Sequence, residues 1–291
     1  MIGYIEAYFN LFLVKYYKKY SSYQYGLNTV KRNEKIIVSL TSFPKRINTV
    51  WITIETLMRQ SMKADEIILW LAKEQFPKKY EDLPKKLLEL QDRGLKIKFC
   101  DDLKSHKKYF YVLQENPDDI VILVDDDMFY PTDTIKQLYK LHMKNPNDIC
   151  VMTSQKIEPD VISLPSQWKN PKLNEKIISS CQVQIFTGSG SLYTPHCLDD
   201  DAFYKELILS LCPYADDLWL TFMAYKKGTK ISSLSRWRPF PITIYGTHID
   251  SLYCINAENG KNDEQWQNLI DRYPEEFKKW EEKYHGQDTV L

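Results

Sequence analysis

The sequence predicts an α/β protein with a parallel, doubly wound sheet. Predicted strands and helices alternate from Lys35 to Thr153. The fourth predicted strand, "DIVILV", lacks polar alternation, which indicates burial on both faces of the sheet. Three carboxylates, Asp125 to Asp127, follow that strand directly. Ligands of open α/β sheets bind beyond the carboxyl ends of the strands, so these aspartates occupy a position where a ligand would lie.

Each element in the alternating region has its own signal. The other predicted strands are the short apolar segments "IIVSL", "EIILWL", "LKIKFC" and "DICVMT". Apolar residues of "INTVWITIETLMRQ" recur at helical spacing from Val50 to Met58. Pro84 and Gly94 delimit a short second helix, and "HKKYFYVLQENP" is a helix that ends before Pro117. The segment "PTDTIKQLYKLHMKNP" predicts the fourth helix.

Beyond this region the pattern loosens from Gln155 to Tyr193. Two further helices, "AFYKELILSL" and "ADDLWLTFMAYKKG", and a late strand, "ITIYG", are predicted. We therefore expect one catalytic domain at residues 31–255. A helical extension at residues 1–30 precedes it, and a helical tail at residues 256–291 follows it.

Composition excludes some classes of protein. The 291 residues include 39 Lys or Arg and 39 Asp or Glu, so the net charge is zero, which argues against a general nucleic-acid binder. None of the six cysteines forms a C-x-x-C pair, so a zinc or redox motif is not expected, and a reduced cytoplasm fits best. No apolar run is long enough for a transmembrane helix.

Within the first 25 residues, the apolar part from Ile2 to Val14 is rich in Tyr, Phe and Leu and is followed by Lys15, Lys18 and Lys19. This composition suits a helix that lies in a membrane interface, with its lysines toward anionic headgroups. A helix packed on the protein's own core or on a second subunit is an equally open alternative, so a homo-oligomer is also possible on this sequence.

Asp125, Asp126 and Asp127 are the strongest candidate site. In an extended segment alternate residues share a face, so Asp125 and Asp127 are expected to converge while Asp126 turns away. Two carboxylates held together repel each other unless a cation neutralises them, and Mg²⁺ or Mn²⁺ prefers oxygen ligands of this kind. The alternative is a solvated acidic turn or a helix N-cap.

A second acidic pair, Asp216 and Asp217 in "YADDLWLTF", opens a predicted helix. Acids favour helix N-termini for capping and dipole reasons alone. The functional alternative is a general base that accepts a proton from an acceptor hydroxyl.

Several polar segments follow other predicted strands and are candidates for binding a diphosphate or a sugar. Backbone amides, hydroxyls and basic side chains bind phosphate, and glycines allow a ligand close to the backbone. The donor-binding candidates are Thr41, Ser42 and Arg46 in "TSFPKRI", Lys104, Ser105 and Lys108 in "DLKSHKK", and Asp125 and Asp126. The acceptor-binding candidates are Gly188, Ser189 and Gly190 in "IFTGSGSLY". The last segment lacks the P-loop pattern. His248 is a candidate third metal ligand, although a lone His is more often structural.

Taken together, these residues resemble the bacterial polysaccharide glycosyltransferases of the GT-A fold, in or near the large family 2 group. The resemblance rests on the ordered set "VSLTSFPKRI", "IILWLA", "DLKSHKKYFY" and the D-x-D segment "VDDDMFYP", and it covers about Lys35 to Lys227. It implies a mostly parallel sheet with a Rossmann-like nucleotide-binding half and an acceptor-binding half. The opening segment differs from the "P-x-Y-N"-like opening that is typical of family 2.

The resemblance also implies roles for the candidate residues. Asp125 would contact the nucleotide ribose or the metal, Asp127 would bind the metal, and His248 would complete its shell. The loop at Thr41 and Ser42 would lie against the nucleotide. Asp217 matches the position of the base in inverting members, with Asp216 as the competing choice.

The sequence therefore predicts a Mn²⁺- or Mg²⁺-dependent, inverting glycosyltransferase. A UDP-hexose is the expected donor, UDP-galactofuranose being one possibility, and a lipid-linked glycan of a bacterial surface polysaccharide such as a capsule is the expected acceptor. The location would be cytoplasmic, peripheral on the inner face of the membrane. The alternatives are a nucleotidyltransferase or phosphotransferase with the same paired carboxylates, and a non-catalytic carbohydrate-binding protein.

Overall fold

The computed structural model describes residues 2–19, 26–158, 160–168, 177–234, 241–247 and 260–287. Its helices are α1 (Ile2–Lys19), α2 (Val50–Met58), α3 (Lys85–Leu88), α4 (Lys107–Glu115), α5 (Thr134–His142), α6 (Lys205–Leu211), α7 (Asp216–Lys227), α8 (Lys261–Arg272) and α9 (Pro274–Gln287). Its strands are β1 (Ile36–Thr41), β2 (Glu66–Ala72), β3 (Leu95–Cys100), β4 (Ile120–Leu123), β5 (Met128–Phe129), β6 (Ile149–Val151), β7 (Ser154–Lys156), β8 (Ile177–Ser180), β9 (Val183–Ile185), β10 (Ser191–Tyr193), β11 (Ile231–Ser233) and β12 (Ile242–Thr243).

The central sheet has eight strands in the order β3-β2-β1-β4-β10-β6-β11-β8. The first four of these pair in parallel, as the alternation of strands and helices predicts. Parallel neighbours need a crossover connection: α2 lies between β1 and β2, and α3 lies between β2 and β3. The predicted mixed α/β class with a mainly parallel sheet is confirmed.

One antiparallel strand interrupts the predicted order. β10 lies between β4 and β6 and runs antiparallel to both, so the fifth predicted strand does not neighbour the fourth. β10 has only three residues, "SLY", directly after Gly190. A segment of that length carries no readable periodicity, which is why the sequence shows only a loose region there.

Side chains cover both faces of the sheet. Along β1, Ile37 belongs to one buried cluster, with residues of α4, α7, α8 and α9. Ile36, Val38 and Leu40 belong to a second cluster, with residues of α2 and α5. This two-sided burial explains why the predicted strands contain few polar residues.

The two C-terminal helices join the same core as α7. The ring of Phe222 stacks on Phe277 with centroids 4.8 Å apart, and the ring of Tyr225 stacks on Trp280 at 4.1 Å. Trp266 and Trp280 are fully buried. The predicted boundary at residue 256 stays a prediction, while α8 and α9 form part of the large core cluster.

The first helix lies against the domain. The Asn10 amide donates to the carbonyl of Thr243 at 2.8 Å and accepts from the N–H of Tyr245 at 2.8 Å. The ring of Tyr17 stacks on Phe129 at 5.9 Å. Within the described ranges, no helix has the length and apolar character needed to cross a bilayer.

A buried ionic cluster holds α2 to the loop before β3. Glu55 is fully buried and contacts Arg59 at 2.9 Å and Arg93 at 2.5 Å. Arg59 also lies over the ring of Tyr17, 4.9 Å from its centroid, and so links this cluster to α1. Breaking one partner of a buried ion pair leaves a buried charge without compensation.

We therefore expect Glu55→Gln to lower the free energy of unfolding by about 3 to 5 kcal/mol, measured by urea denaturation. The matched control is Glu89→Gln. Glu89 pairs with Lys85 at 4.0 Å with side chains 53% and 91% exposed, and a pair of this kind contributes less than about 1 kcal/mol. Equal effects of the two substitutions would contradict this assignment.

Candidate functional site

The three aspartates after β4 point to three different sets of partners. Asp125 contacts Lys108, with Oδ1 2.7 Å from Nζ. Asp126 accepts from the Ser42 hydroxyl at 2.5 Å and from Arg46 at 2.8 Å. Asp127 lies 3.1 Å from the same guanidinium nitrogen of Arg46. Asp125 therefore pairs with Lys108, while Asp126 and Asp127 share Arg46. The prediction that Asp126 turns away from Asp127 is wrong, because one buried guanidinium binds both carboxylates.

Lys108 joins the first aspartate to the second acidic pair. Its Nζ lies 2.7 Å from Asp125 and 2.8 Å from Asp216, and its side chain is 3% exposed. Burial lowers the pKa of Lys108, but Asp125, Asp216 and Asp217 together raise that pKa well above its usual value. The ammonium is therefore a permanent positive charge inside the protein, and it holds the end of β4 next to the start of α7.

Asp216 and Asp217 are adjacent in sequence but have opposite electrostatic environments. Burial raises the pKa of Asp216, but Lys108 and His106 outweigh burial and leave that pKa below its ordinary value. Burial, followed by the charge of Asp216, raises the pKa of Asp217 to about 7. Asp216 is thus a fixed anion paired with Lys108, whereas Asp217 exchanges a proton near neutral pH, the property that suits a general base.

A short turn before β10 connects Asp217 to Asp125. The backbone N–H and the hydroxyl of Thr187 donate to Oδ1 of Asp217 at 2.9 and 2.6 Å. A Cβ on the next residue, Gly188, would lie 2.2 Å from Oδ2 of Asp125. The turn therefore needs glycine at this position, because any side chain would displace the Asp125 carboxylate.

Tyr130 fixes the same turn from the other side. Its hydroxyl accepts the backbone N–H of Asp125 at 2.9 Å and donates to the carbonyl of Gly188 at 2.5 Å. Burial, followed by the charge of Asp125, raises the pKa of Tyr130 well above its usual value, so the hydroxyl keeps its proton. One buried phenol thus sets the relative position of the β4 end and the glycine turn.

A polar stripe on the buried face of α2 supports the acidic loop from below. The hydroxyl of Thr53 donates to the carbonyl of Asp126 at 2.9 Å, and that of Thr56 accepts the N–H of Tyr130 at 3.2 Å. The side chain of Gln60 donates to the carbonyl of Pro131 at 2.7 Å. Thr53 and Thr56 lie on one face of α2, and Gln60 follows the end of that helix, so one short segment of chain fixes the loop backbone.

Asp125 and Asp127 are the side chains available for a divalent cation. Oδ2 of Asp125 has no hydrogen-bond donor among the residues that the structure describes, and the side chain is 37% exposed. Burial and the charge of Asp126 raise the pKa of Asp127 to about 7 even though Arg46 lies beside it. A carboxylate in this condition lacks counter-charge, which a cation supplies. Within the described ranges, no three His, Cys, Asp or Glu side chains cluster around one point.

The remaining predicted residues have the following contacts. Thr41 donates to the carbonyl of Trp70 at 2.9 Å, and Lys104 pairs with Asp102 at 3.0 Å. Ser105 is next to Asp216 and helps to lower its pKa. The predicted ligand-binding roles of these residues remain predictions, and His248 lies outside the described residues.

The turn from Gly188 to Gly190, which is predicted to bind the acceptor, also has a structural role. Ser189 is buried, and its hydroxyl donates to the carbonyl of Phe186 at 3.2 Å. Gly190 has φ +109°, a backbone conformation that favours glycine. Its carbonyl accepts the N–H of Met152 at 2.9 Å, which leads the chain into β10.

Thr187, Tyr130 and Thr247 belong to the site but have no signal in the sequence analysis. Thr247 donates to Oδ2 of Asp127 at 3.2 Å, and its carbonyl accepts from Arg46 at 3.0 Å. Tyr130 lies three residues after the acidic motif, but a tyrosine at this position predicts no role until the structure shows which loop its hydroxyl contacts.

Comparisons with known proteins define the fold. No family model matches the chain, and no curated protein matches it. The crystal structure of S. aureus TarS 1-349 in complex with UDP matches with 15% identity and a TM-score of 0.50, covering 71% of this chain and 59% of that chain. The crystal structure of S. aureus TarS 1-349 alone matches with 13% identity and a TM-score of 0.48, covering 82% of this chain and 71% of that chain.

The chain thus has a GT-A-like fold similar to that of S. aureus TarS. It spans less than two thirds of the length of the UDP-bound TarS chain. The expected fold is confirmed, and the aspartates lie at the carboxyl ends of its parallel strands, as the sequence predicts.

The fit between Gly188 and Asp125 gives a direct test of the site geometry. Gly188→Ala places a methyl group on the Asp125 carboxylate, and we expect a loss of about 1 to 3 kcal/mol in the free energy of unfolding. Gly26→Ala is the control, because a Cβ there comes no closer than 3.4 Å to the Arg93 carbonyl. If both variants are as stable as the wild type in urea denaturation, the close approach at Gly188 is wrong.

Proposed function

We propose that this protein is a metal-dependent, inverting glycosyltransferase that moves a sugar from a UDP-hexose to a hydroxyl of a lipid-linked glycan. One observation carries the proposal. Lys108 brings Asp125, at the end of β4, and Asp216, at the start of α7, within 2.8 Å of one buried ammonium. Asp217, the neighbour of Asp216, is suited to accept a proton, and Asp125 is suited to bind a cation. These two carboxylates therefore lie on either side of the turn at Thr187 and Gly188.

The fold supports the class of reaction. The GT-A-like architecture is that of TarS, which has been crystallised with UDP. In open α/β sheets the ligand crevice lies outside the carboxyl ends of the strands, and in this chain that edge carries Asp125, Asp126 and Asp127. A UDP-hexose, including UDP-galactofuranose, is the proposed donor.

The residues present fit a divalent cation. We propose that Asp125 and Asp127 hold Mn²⁺ or Mg²⁺, with His248 as the third protein ligand. When bound, such a cation neutralises the charge that develops on a departing diphosphate. Arg46 and Thr247 orient Asp127, and Lys108 orients Asp125.

Asp217 is the proposed base. As the acceptor oxygen forms its bond to the anomeric carbon, Asp217 accepts the hydroxyl proton on Oδ2, and the bond to the diphosphate breaks with its electron pair. Thr187 fixes the other oxygen, Oδ1, with two donated hydrogen bonds. Burial, followed by the charge of Asp216, raises the pKa of Asp217 to about 7, which makes its carboxylate a stronger base than an ordinary aspartate. A single displacement inverts the anomeric configuration.

Asp216 and Asp126 have supporting roles in this mechanism. Both are buried and ion-paired, Asp216 with Lys108 and Asp126 with Arg46. Lys108 keeps the pKa of Asp216 below its ordinary value, whereas burial raises the pKa of Asp126 despite Arg46. In this proposal both carboxylates position the side chains that act. The glycine turn would border the acceptor, since Thr187 and Gly188 separate Asp217 from Asp125. The acceptor proposed here belongs to a bacterial surface polysaccharide.

The metal and nucleotide requirement is testable by calorimetric titration of UDP and GDP, each with Mn²⁺ and with EDTA. We expect UDP to bind with Mn²⁺, and both EDTA and Asp127→Ala to weaken binding at least about tenfold, because a metal ligand is lost. Asp118→Ala is the control, since that side chain is 89% exposed and lies outside the site. Absence of binding for both nucleotides under every condition would overturn the proposal and favour a non-catalytic protein.

The role of Asp217 predicts a pH profile. Because its pKa is raised to about 7, kcat/KM for UDP release from a panel of UDP-hexoses should fall as the pH drops below 7, where the carboxylate is protonated. Asp217→Asn keeps the Thr187 hydrogen bonds at Oδ1 and should lower kcat by about 10² to 10⁴.

Asp216→Asn distinguishes the two acids. Removal of the neighbouring negative charge lowers the pKa of Asp217, so the acidic limb should persist and move to lower pH. If Asp216→Asn removes the limb and Asp217→Asn keeps it, the two roles are reversed.

A further inference from the structure

α1 has two chemically different faces. Asn10 is buried, and Leu13, Val14 and Tyr17 pack against the core on β1, α2 and β5. The opposite face exposes Leu11 and Phe12, at 50% and 62% of their surface. The exposed residues recur at helical spacing, so they form one continuous stripe, to which Lys15, Tyr16 and Lys19 also belong.

Asn10 links α1 to the segment that contains β12. It holds Thr243 and Tyr245 through two hydrogen bonds of 2.8 Å. The side chains of Ile242 and Tyr245 in this segment are 41% and 65% exposed. We call the exposed residues Leu11, Phe12, Lys15 and Lys19 of α1 the α1 surface.

We propose that the α1 surface docks on an anionic lipid bilayer, lying in the interface without crossing it. Its aliphatic and aromatic side chains suit the boundary between headgroups and acyl chains, and its lysines suit negative headgroups. The surrounding sequence is basic as well, since residues 1–46 hold eight Lys or Arg against two Glu.

A second copy of the chain fits this surface less well. A two-fold symmetric contact places the same patch on both partners. Such an interface would hold Lys15 and Lys19 from both copies and no acid from the exposed stripe of α1, and like charges repel. The positive charge of the α1 surface therefore favours an anionic bilayer over a second copy of the chain.

The α1 surface is connected to the acidic centre through one short segment. Thr243 is held by Asn10, and Thr247 contacts Asp127 at 3.2 Å. Four residues of chain span at most about 14 Å. Docking would therefore place Asp127 close to the headgroups, where a lipid-linked acceptor presents its sugar. This consequence rests on the proposed function, whereas docking itself does not.

Docking is tested by co-sedimentation of the full chain with vesicles of phosphatidylcholine, with and without phosphatidylglycerol. We expect binding to the anionic vesicles that weakens with added salt. Phe12→Ser should weaken this binding about tenfold, because an apolar side chain leaves the interface. Lys15→Glu should weaken it at least about fivefold.

Met143→Ser is the matched control, since Met143 is 60% exposed and follows α5. It should bind vesicles as the wild type does. An equal loss in this control, or a wild-type protein that ignores anionic vesicles, overturns the proposal. A dimer in analytical ultracentrifugation that Phe12→Ser disperses, without vesicle binding, assigns the surface to a second copy instead.

UDP titration of the same proteins separates this inference from the proposed function. Phe12→Ser should bind UDP with Mn²⁺ as the wild type does, because Phe12 contacts none of the site residues described above. Vesicle binding without any nucleotide binding would leave docking in place and overturn the transferase assignment. Nucleotide binding without vesicle binding would leave the transferase assignment in place and overturn docking.

Discussion

The buried ammonium of Lys108 is the interaction on which the rest of the site depends. Two carboxylates from distant parts of the chain, Asp125 and Asp216, approach it within 2.8 Å. An unpaired charge at this depth would be strongly unfavourable, and so would two carboxylates without a cation. The three groups are therefore stable only together, and their pairing fixes where β4 ends relative to the start of α7.

The consequence for chemistry is a division of roles between two adjacent acids. Lys108 keeps Asp216 ionised, and the resulting negative charge raises the pKa of Asp217. This arrangement is fixed by the hydroxyl groups of Thr187 and Tyr130 and by the absence of a side chain at Gly188. A site whose dipoles and charges are fixed before the substrate arrives needs little reorganisation during the reaction.

Much of this architecture was predictable from the sequence, because strong local patterns fixed it. The apolar segments that became β1 to β4, and the acidic motif after β4, followed directly from hydrophobic runs and charge. The antiparallel β10 was not predictable, since three residues carry no periodicity and its pairing depends on tertiary contacts. In the same way, no local pattern shows that α8 and α9 complete the core around Phe222.

The site was predictable in its residue types and less so in their environments. Lys108 followed from a basic segment after the third strand, where a contact with phosphate was expected, yet the structure places its ammonium inside the protein between two carboxylates. Thr53, Thr56 and Gln60 were invisible because their helix was recognised by its apolar face. Burial and pairing across long sequence separations decide such roles, and neither is encoded in a local window.

The most direct test of the account is an NMR titration of the aspartate carboxyl carbons in the intact protein, with Asp217 assigned through Asp217→Asn. We expect Asp217 to titrate near pH 7, because of its burial and because Lys108 holds the neighbouring Asp216 ionised. Titration of Asp217 near pH 4, the value of an ordinary aspartate, would contradict the assignment of this residue as the base and the division of roles between the two acids.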